Sequence, residues 1–383
     1  MEIREWYKTN FEARLQGRYV TLEVVLPIVN LYKDVLEISS AGTSEEGKDI
    51  PLLKLGSGEK VVFGWSQMHG NESTTTKAIF DFLRFVFQKE VFQKEVQKFL
   101  SNYTFYIIPI LNPDGAEKYT RVNANEVDLN RDASSLSQSE SKVLRKVFEK
   151  ISPDLCLNLH DQRSIYGLES GLPATVSFLA PAANKRRSIT KSRKIAMEHI
   201  VKMFNTLEGL LPGQTGRYDD TFNNACVGDT FQQLSVPTIL FEAGHYTNDY
   251  EREKTRELIF YALLSLFQII DENDEQLDYK KYFEIPENKT NYRDVLIKNV
   301  NLEGHRKPVD VGIQFVEELR DGEIQFTPTV DGIEKTGKLL GHRTIDLNGS
   351  QLLVNSQRKI KVGQKVSTIV KEEDNSIIIL QEK

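Results

Sequence analysis

Apolar runs rich in β-branched and aromatic residues alternate with stretches of helical period over the first two-thirds of the chain. The runs 50–55, 60–64, 103–111, 155–159 and 236–241 read as strands, and 35–39 as a shorter one. Segments 74–87, 190–210 and 255–270 have the apolar spacing of helices. Residues 3–15 and 21–36 read as two more helices, the second interrupted by Pro27. Ser137-Gln138-Ser139-Glu140 has the spacing of a capping box and opens a helix through Lys150, which Pro153 stops. The pentapeptide VFQKE occurs at 86–90 and again at 91–95, a local duplication that lengthens a helix or its exit loop. Strands alternating with helices predict an α/β sheet covered on both faces.

The pattern changes near residue 271. DENDEQLDYKKYFEIPENK is a charged stretch, read as a linker over 273–289. Beyond it come short alternating runs at 295–300, 311–315, 324–326, 352–354, 360–362 and 376–380. These predict a separate all-β domain over 290–383, a small barrel or sandwich. The organisation expected is a catalytic domain over 1–272, the linker, and this accessory domain, in keeping with a length of 383 residues.

Composition excludes more than it identifies. Hydrophobic residues make up 39% and charged residues 27%, ordinary for a soluble globular protein. A net charge of −6 gives no reason to expect nucleic acid or an anionic membrane as partner. No run approaches the roughly 18 apolar residues of a membrane span. The start, MEIREWYKTNFEARL, has no apolar core of a signal peptide, although a leader already removed would leave no trace. Two cysteines, Cys156 and Cys226, fit a reducing compartment better than a disulfide framework, so a cytoplasmic location is expected.

The chemistry concentrates in WSQMHGNESTTT, residues 65–76. His69 and Glu72 lie between an apolar strand and a helical pattern, on a tight turn. An imidazole nitrogen and a carboxylate oxygen three positions apart can reach one metal ion there, and zinc suits that mixed pair. Alone, H-x-x-E is equally at home on a solvated turn. His160 and Glu242, however, also stand just after the ends of predicted strands, as does the Asn112-Pro113-Asp114-Gly115 turn leading to Arg121. Ligands of open α/β sheets bind outside the carboxyl ends of the strands. A shared edge therefore favours His160 as third ligand, giving the two-histidine, one-glutamate set of a catalytic zinc site.

From about Arg18 to Phe260 the chain resembles the M14-type zinc carboxypeptidases. The likeness is carried by GTSEEGKDI, HGNE, NPDG, Arg121, VDLNRD, LNLH and FEAG, in that order. It implies a mixed, mostly parallel sheet with helices on both faces, and one zinc ion per chain held by His69, Glu72 and His160. Asp128 would hydrogen-bond the far nitrogen of His69. Arg121 would stabilise the oxyanion, and Asn130 and Arg131 would grip a free C-terminal carboxylate through charge-assisted hydrogen bonds. Glu242 would be the general base. Tyr218, 24 residues before Glu242, is the nearest match to the family's mobile tyrosine, but GRYDDTFNN does not align cleanly. The position setting side-chain preference falls within 226–229: Asp229 would favour Lys or Arg, Val227 apolar residues.

HGNE followed by a β-domain also looks like the succinylglutamate desuccinylase/aspartoacylase branch. Its members hydrolyse N-acyl amino acids on the same zinc core. The substrate expected is thus a peptide, or alternatively an N-acyl amino acid, with a free carboxylate. A third reading is a binding protein that kept the fold and lost catalysis, but every ligand position and the base are filled. His199, His245, His305 and His342 read as structural or solvated, with His245 closest to the pocket. Cys156 reads as an inert core thiol. The accessory domain is open to three roles: packing, restricting access to the cleft, or joining two copies of the chain.

Overall fold

The computed structural model of the chain describes residues 3–270 and 277–378. These form two compact units. The first comprises the described residues up to 162, with 175–244, 251–270 and 277–287; the second comprises 163–174, 245–250 and 288–378.

In the first unit α1 (Ile3–Asn10) and α2 (Leu22–Asn30) precede the hairpin of β1 (Glu37–Thr43) and β2 (Asp49–Leu55). Next come β3 (Lys60–Ser66), α3 (Thr74–Phe87), α4 (Gln93–Asn102), β4 (Tyr103–Ile108), α5 (Pro113–Lys118) and α6 (Ser139–Ile151). They are followed by β5 (Leu155–Asp161), β6 (Val176–Leu179), α7 (Lys191–Glu208), β7 (Thr215–Arg217), α8 (Val227–Gln233), β8 (Thr238–Ala243) and α9 (Glu253–Leu266). The eight strands form one sheet in the order β1-β2-β4-β3-β5-β8-β6-β7. Its centre, β4-β3-β5-β8, is parallel, while β1, β2 and β6 pair antiparallel, so the sheet is mixed as expected. Both faces are buried. On β5, Leu157 and Leu159 join the cluster that includes α3 and α9, and Cys156 joins the one that includes Val143 and Phe231. That two-sided burial is why the central strands read as continuous apolar runs.

Tertiary contacts move several expected boundaries. The first helix stops at Asn10, not 15, because the chain turns inward and the Glu12 N–H donates to Asp81 Oδ1 at 2.7 Å. The strand expected over 103–111 ends at Ile108; Asn112 then caps α5 by accepting the Gly115 N–H at 2.8 Å. The capping box is not formed. The cap position is Gln138, which makes no side-chain cap bond. Asp132 takes the N–H groups of Ser137 and Gln138 instead, and Glu140 turns to Asn123. The duplicated VFQKE makes an exit loop: its first copy ends α3 and its second opens α4. Strands β6 and β7 and helices α5 and α8 were not anticipated, being too short for a periodic signal.

Asp81 and Arg256 tie α3 to α9 by an ion pair with both side chains fully buried, at 2.6 Å. Tyr7 donates to the same carboxylate at 2.9 Å, and the guanidinium also donates to the Leu15 and Glu12 carbonyls. Removing one partner strands the other charge in an apolar interior, so Asp81→Ala should cost about 3–5 kcal/mol of unfolding free energy. Denaturant titration of the two proteins measures it.

The second unit contains β9 (Tyr292–Val300), β10 (Val309–Arg320), β11 (Glu323–Lys335) and β12 (Leu340–Asp346), ordered β11-β10-β9-β12. A smaller sheet follows, β13 (Leu352–Val354), β14 (Ile369–Lys371) and β15 (Ser376–Ile377). Val295, Ile297, Val311, Ile313 and Val354, from the alternating runs, lie in one core with Val330 of β11. Residues 360–362 are not a strand: Lys361 opens a turn whose carbonyl accepts the Gln364 N–H. Residues 379 and 380 lie outside the described residues, as do 273–276 of the expected linker. The rest of that linker is partly core. Tyr279–Glu284 is a 3₁₀ turn, Tyr282 is fully buried, and its hydroxyl accepts the Ala180 N–H at 3.1 Å.

Candidate metal centre

Three buried side chains converge at the carboxyl edge of the parallel strands. His69 and Glu72 lie on the turn between β3 and α3, and the Glu72 N–H donates to the His69 carbonyl at 3.1 Å. The NPDG segment presses on this turn. A Cβ on Gly70 would stand 2.0 Å from the Gly115 carbonyl carbon, so only glycine fits. His160 comes from β5. It was expected just past the strand but is its sixth residue, and it pairs in register with Glu242 on β8. Register partners on adjacent strands project from the same face, so His160 and Glu242 stand side by side.

The donor atoms face one another. His69 Nδ1 lies 2.8 Å from Glu72 Oε1, His160 Nδ1 lies 2.8 Å from Glu72 Oε2, and the two Nδ1 atoms are 3.2 Å apart. Two imidazole lone pairs aimed at one point with a carboxylate beside them are a donor set that a borderline cation such as zinc fits. Among the described residues, these are the one group of three or more His, Cys, Asp or Glu side chains arranged so. His69 Nε2 sits 3.0 Å from Asp128 Oδ1, which fixes the ring with Nδ1 inward.

The charges are strongly coupled. Burial disfavours the Glu72 carboxylate, but His69 and His160 outweigh it and hold Glu72 well below the usual carboxylate range. Burial likewise opposes Asp128, and the hydrogen bond from His69 with the Arg121 charge holds it low. Burial lowers His160 against the pull of Glu72. His69 is raised, because Glu72 and Asp128 overcome its burial. Glu242 behaves oppositely to Glu72: burial, then the Glu72 and Asp161 charges, push it well above the ordinary value. Two carboxyls in one site are thus displaced in opposite directions.

Arg121 reaches the cluster, donating from Nε to Asp128 Oδ2 at 3.1 Å and from Nη1 to Glu72 Oε1 at 3.3 Å. Asn130 and Arg131 lie on the short turn after Asp128 and face the start of α8. Asn130 Oδ1 accepts the Val227 N–H at 3.0 Å, and Arg131 Nη1 lies 3.2 Å from Cys226 Sγ and 2.8 Å from the Asn130 carbonyl. Tyr218 follows β7, the edge strand two places from β8, where its N–H donates to the Phe178 carbonyl. Val227 and Asp229 both lie buried in α8, and burial pushes the Asp229 carboxyl up to about 7. His245 lies in the second unit, its ring 4.6 Å from Tyr250 and 4.4 Å from His342. The sequence reading missed Asp161 and Arg252, whose charges both act on Glu242. Adjacency to His160 was the one signal for Asp161; nothing local marks Arg252.

A two-histidine, one-carboxylate set at the carboxyl edge of an α/β sheet is a candidate metal site. Residues 24–165 match the model of the zinc carboxypeptidase family, peptidase M14. Carboxypeptidase 2 of Trichophyton rubrum is 27% identical over 128 residues, 31% of this chain and 23% of that protein. Probable carboxypeptidase 2 of Arthroderma benhamiae gives the same identity over 31% of this chain and 24% of its own length. The matched region thus spans about a quarter of these relatives. Among solved structures, a metallo-carboxypeptidase from Burkholderia cenocepacia superposes with a TM-score of 0.54 at 18% identity, covering 66% of this chain and 70% of that one. One from Pseudomonas aeruginosa gives 0.52 at 20%, with the same coverages. At such identities the superpositions speak for the fold.

Proposed function

We propose that this protein is a zinc-dependent metallocarboxypeptidase that hydrolyses the amide bond beside a free C-terminal carboxylate. The observation that carries the reading is the convergence of His69 Nδ1, His160 Nδ1 and the Glu72 carboxylate within 2.8–3.2 Å. Zinc, when bound, supplies a Lewis acid for the scissile carbonyl and a lowered pKa for water. The protein's own groups do the rest. Glu242 takes a proton from the attacking water and returns it to the leaving amine. Arg121 donates to the oxygen on which negative charge develops. Its present bonds to Glu72 and Asp128 leave half of the side chain exposed, within reach of substrate. Asn130 and Arg131 hold the substrate carboxylate, the guanidinium through two parallel hydrogen bonds. Tyr218 closes over the substrate.

The carboxylate requirement is testable on the substrate. A charge-assisted contact contributes about 1.5–3 kcal/mol, and each 1.36 kcal/mol is about tenfold in rate. Amidating the C-terminus of an N-blocked dipeptide should lower kcat/KM by about ten- to a hundredfold. Arg131→Ala should lose a similar factor on the acid and much less on the amide. Equal rates on acid and amide would replace the exopeptidase reading with an endopeptidase or amidase. Faster turnover of a short N-acyl amino acid than of the dipeptide would favour the deacylase branch. Varying the C-terminal residue decides between Val227 and Asp229 as the pocket floor.

A further inference from the structure

Asp161 is the residue after His160, and its side chain leaves the opposite face of β5. There it meets the start of α3. Its Oδ2 accepts the Thr74 N–H at 3.0 Å and the Thr74 hydroxyl at 2.6 Å. The helix has no cap of its own. Ser73 occupies the cap position without a side-chain cap bond, and its hydroxyl donates instead to the Arg18 carbonyl at 2.7 Å. The exposed N–H groups of a first turn carry partial positive charge, so a carboxylate placed there is stabilising. Asp161 thus supplies, from a distant strand, the cap that the local sequence lacks. Its side chain is 3% exposed, and Arg18 Nη2 stands 4.0 Å from the same oxygen. Its backbone closes the link from the other side: the Asp161 N–H donates to Glu72 Oε2 at 3.2 Å, the oxygen that faces His160 Nδ1.

We infer that Asp161 is a positioning residue that sets the spacing between the two halves of the metal site. One half, His69 and Glu72, is carried by the turn entering α3. The other, His160, is carried by β5. Asp161 is bonded to both, through its side chain to the first residue of α3 and through its N–H to Glu72. The two rings are held differently. His69 is oriented by Asp128 through its far nitrogen, whereas His160 Nε2 is buried with no hydrogen-bond partner. The position of His160 against Glu72 therefore depends on how β5 is fastened to α3, and Asp161 is that fastening. The inference rests on the zinc reading proposed above.

The test is zinc affinity, measured by chelator competition on wild type, Asp161→Ala, Asp161→Asn and Thr74→Val, with apo-protein circular dichroism alongside. Loss of a group that orients metal ligands typically costs 10–100-fold in metal affinity. Asp161→Ala should weaken zinc binding by about that factor while the apo protein stays folded at the assay temperature. Asp161→Asn keeps one acceptor and should fall between. Thr74→Val removes only the hydroxyl contact, leaves the aspartate, and should weaken binding by a smaller factor. It also carries the test if Asp161→Ala does not fold. Wild-type affinity in both Asp161→Asn and Thr74→Val would overturn the inference and leave the zinc reading standing. A wild-type protein that takes up no zinc would overturn both.

Discussion

Replacing His160 by alanine should abolish stoichiometric zinc. The two Nδ1 atoms and the Glu72 carboxylate are all the donors the described residues bring together, and removing one leaves two. Catalytic zinc sites use three protein ligands, so a two-donor remnant should not retain the ion through dialysis against a mild chelator. The apo protein should remain folded. Its core is built on both faces of an eight-stranded sheet, and the metal ligands contribute little of it. Elemental analysis of wild type and variant after identical purification reads the result. Equal zinc in both would remove His160 from the site.

Glu242→Gln should leave zinc near one per chain and lower kcat by about 10²–10⁴, the range that general acid–base catalysis contributes. Glutamine keeps the size and hydrogen bonding of the side chain but cannot take the proton. The separation from zinc retention follows from position. Glu242 stands beside His160 in register on the neighbouring strand, yet the donor triangle closes without it. Its environment also argues for proton transfer. Burial and the charges of Glu72 and Asp161 raise its pKa, which makes the carboxylate, once ionised, a stronger proton acceptor. A variant with near-normal kcat would exclude the role. A loss of zinc in step with activity would make Glu242 a part of the metal site.

The centre of the sheet and the candidate donor residues were legible in the sequence, and the reason is local. Each functional group sits where an apolar strand ends: HGNE after β3, His160 at the end of β5, Glu242 at the end of β8. Parallel strands buried on both faces leave an unambiguous apolar signal, and their carboxyl ends share one edge by topology. His69 and Glu72, three residues apart, needed no tertiary information to be paired. The second unit was legible in part as alternation, because its strands bury one face in a single core, but β12 gave no such run and 360–362 is a turn.

Only the tertiary structure decided how these groups are held. Asp161 caps a helix 87 positions away in sequence, and no spacing rule links them. Asp132 displaced the capping box that Ser137 and Glu140 spelled out, because a buried carboxylate from outside the motif reached the N–H groups first. Tyr282 looked like part of a charged linker and is instead core, since three aromatics scattered among charges carry no periodic signal. Periodicity records which face of an element is buried. It does not record which polar atom, from which distant segment, satisfies a given N–H, and that choice is what holds a metal site in shape.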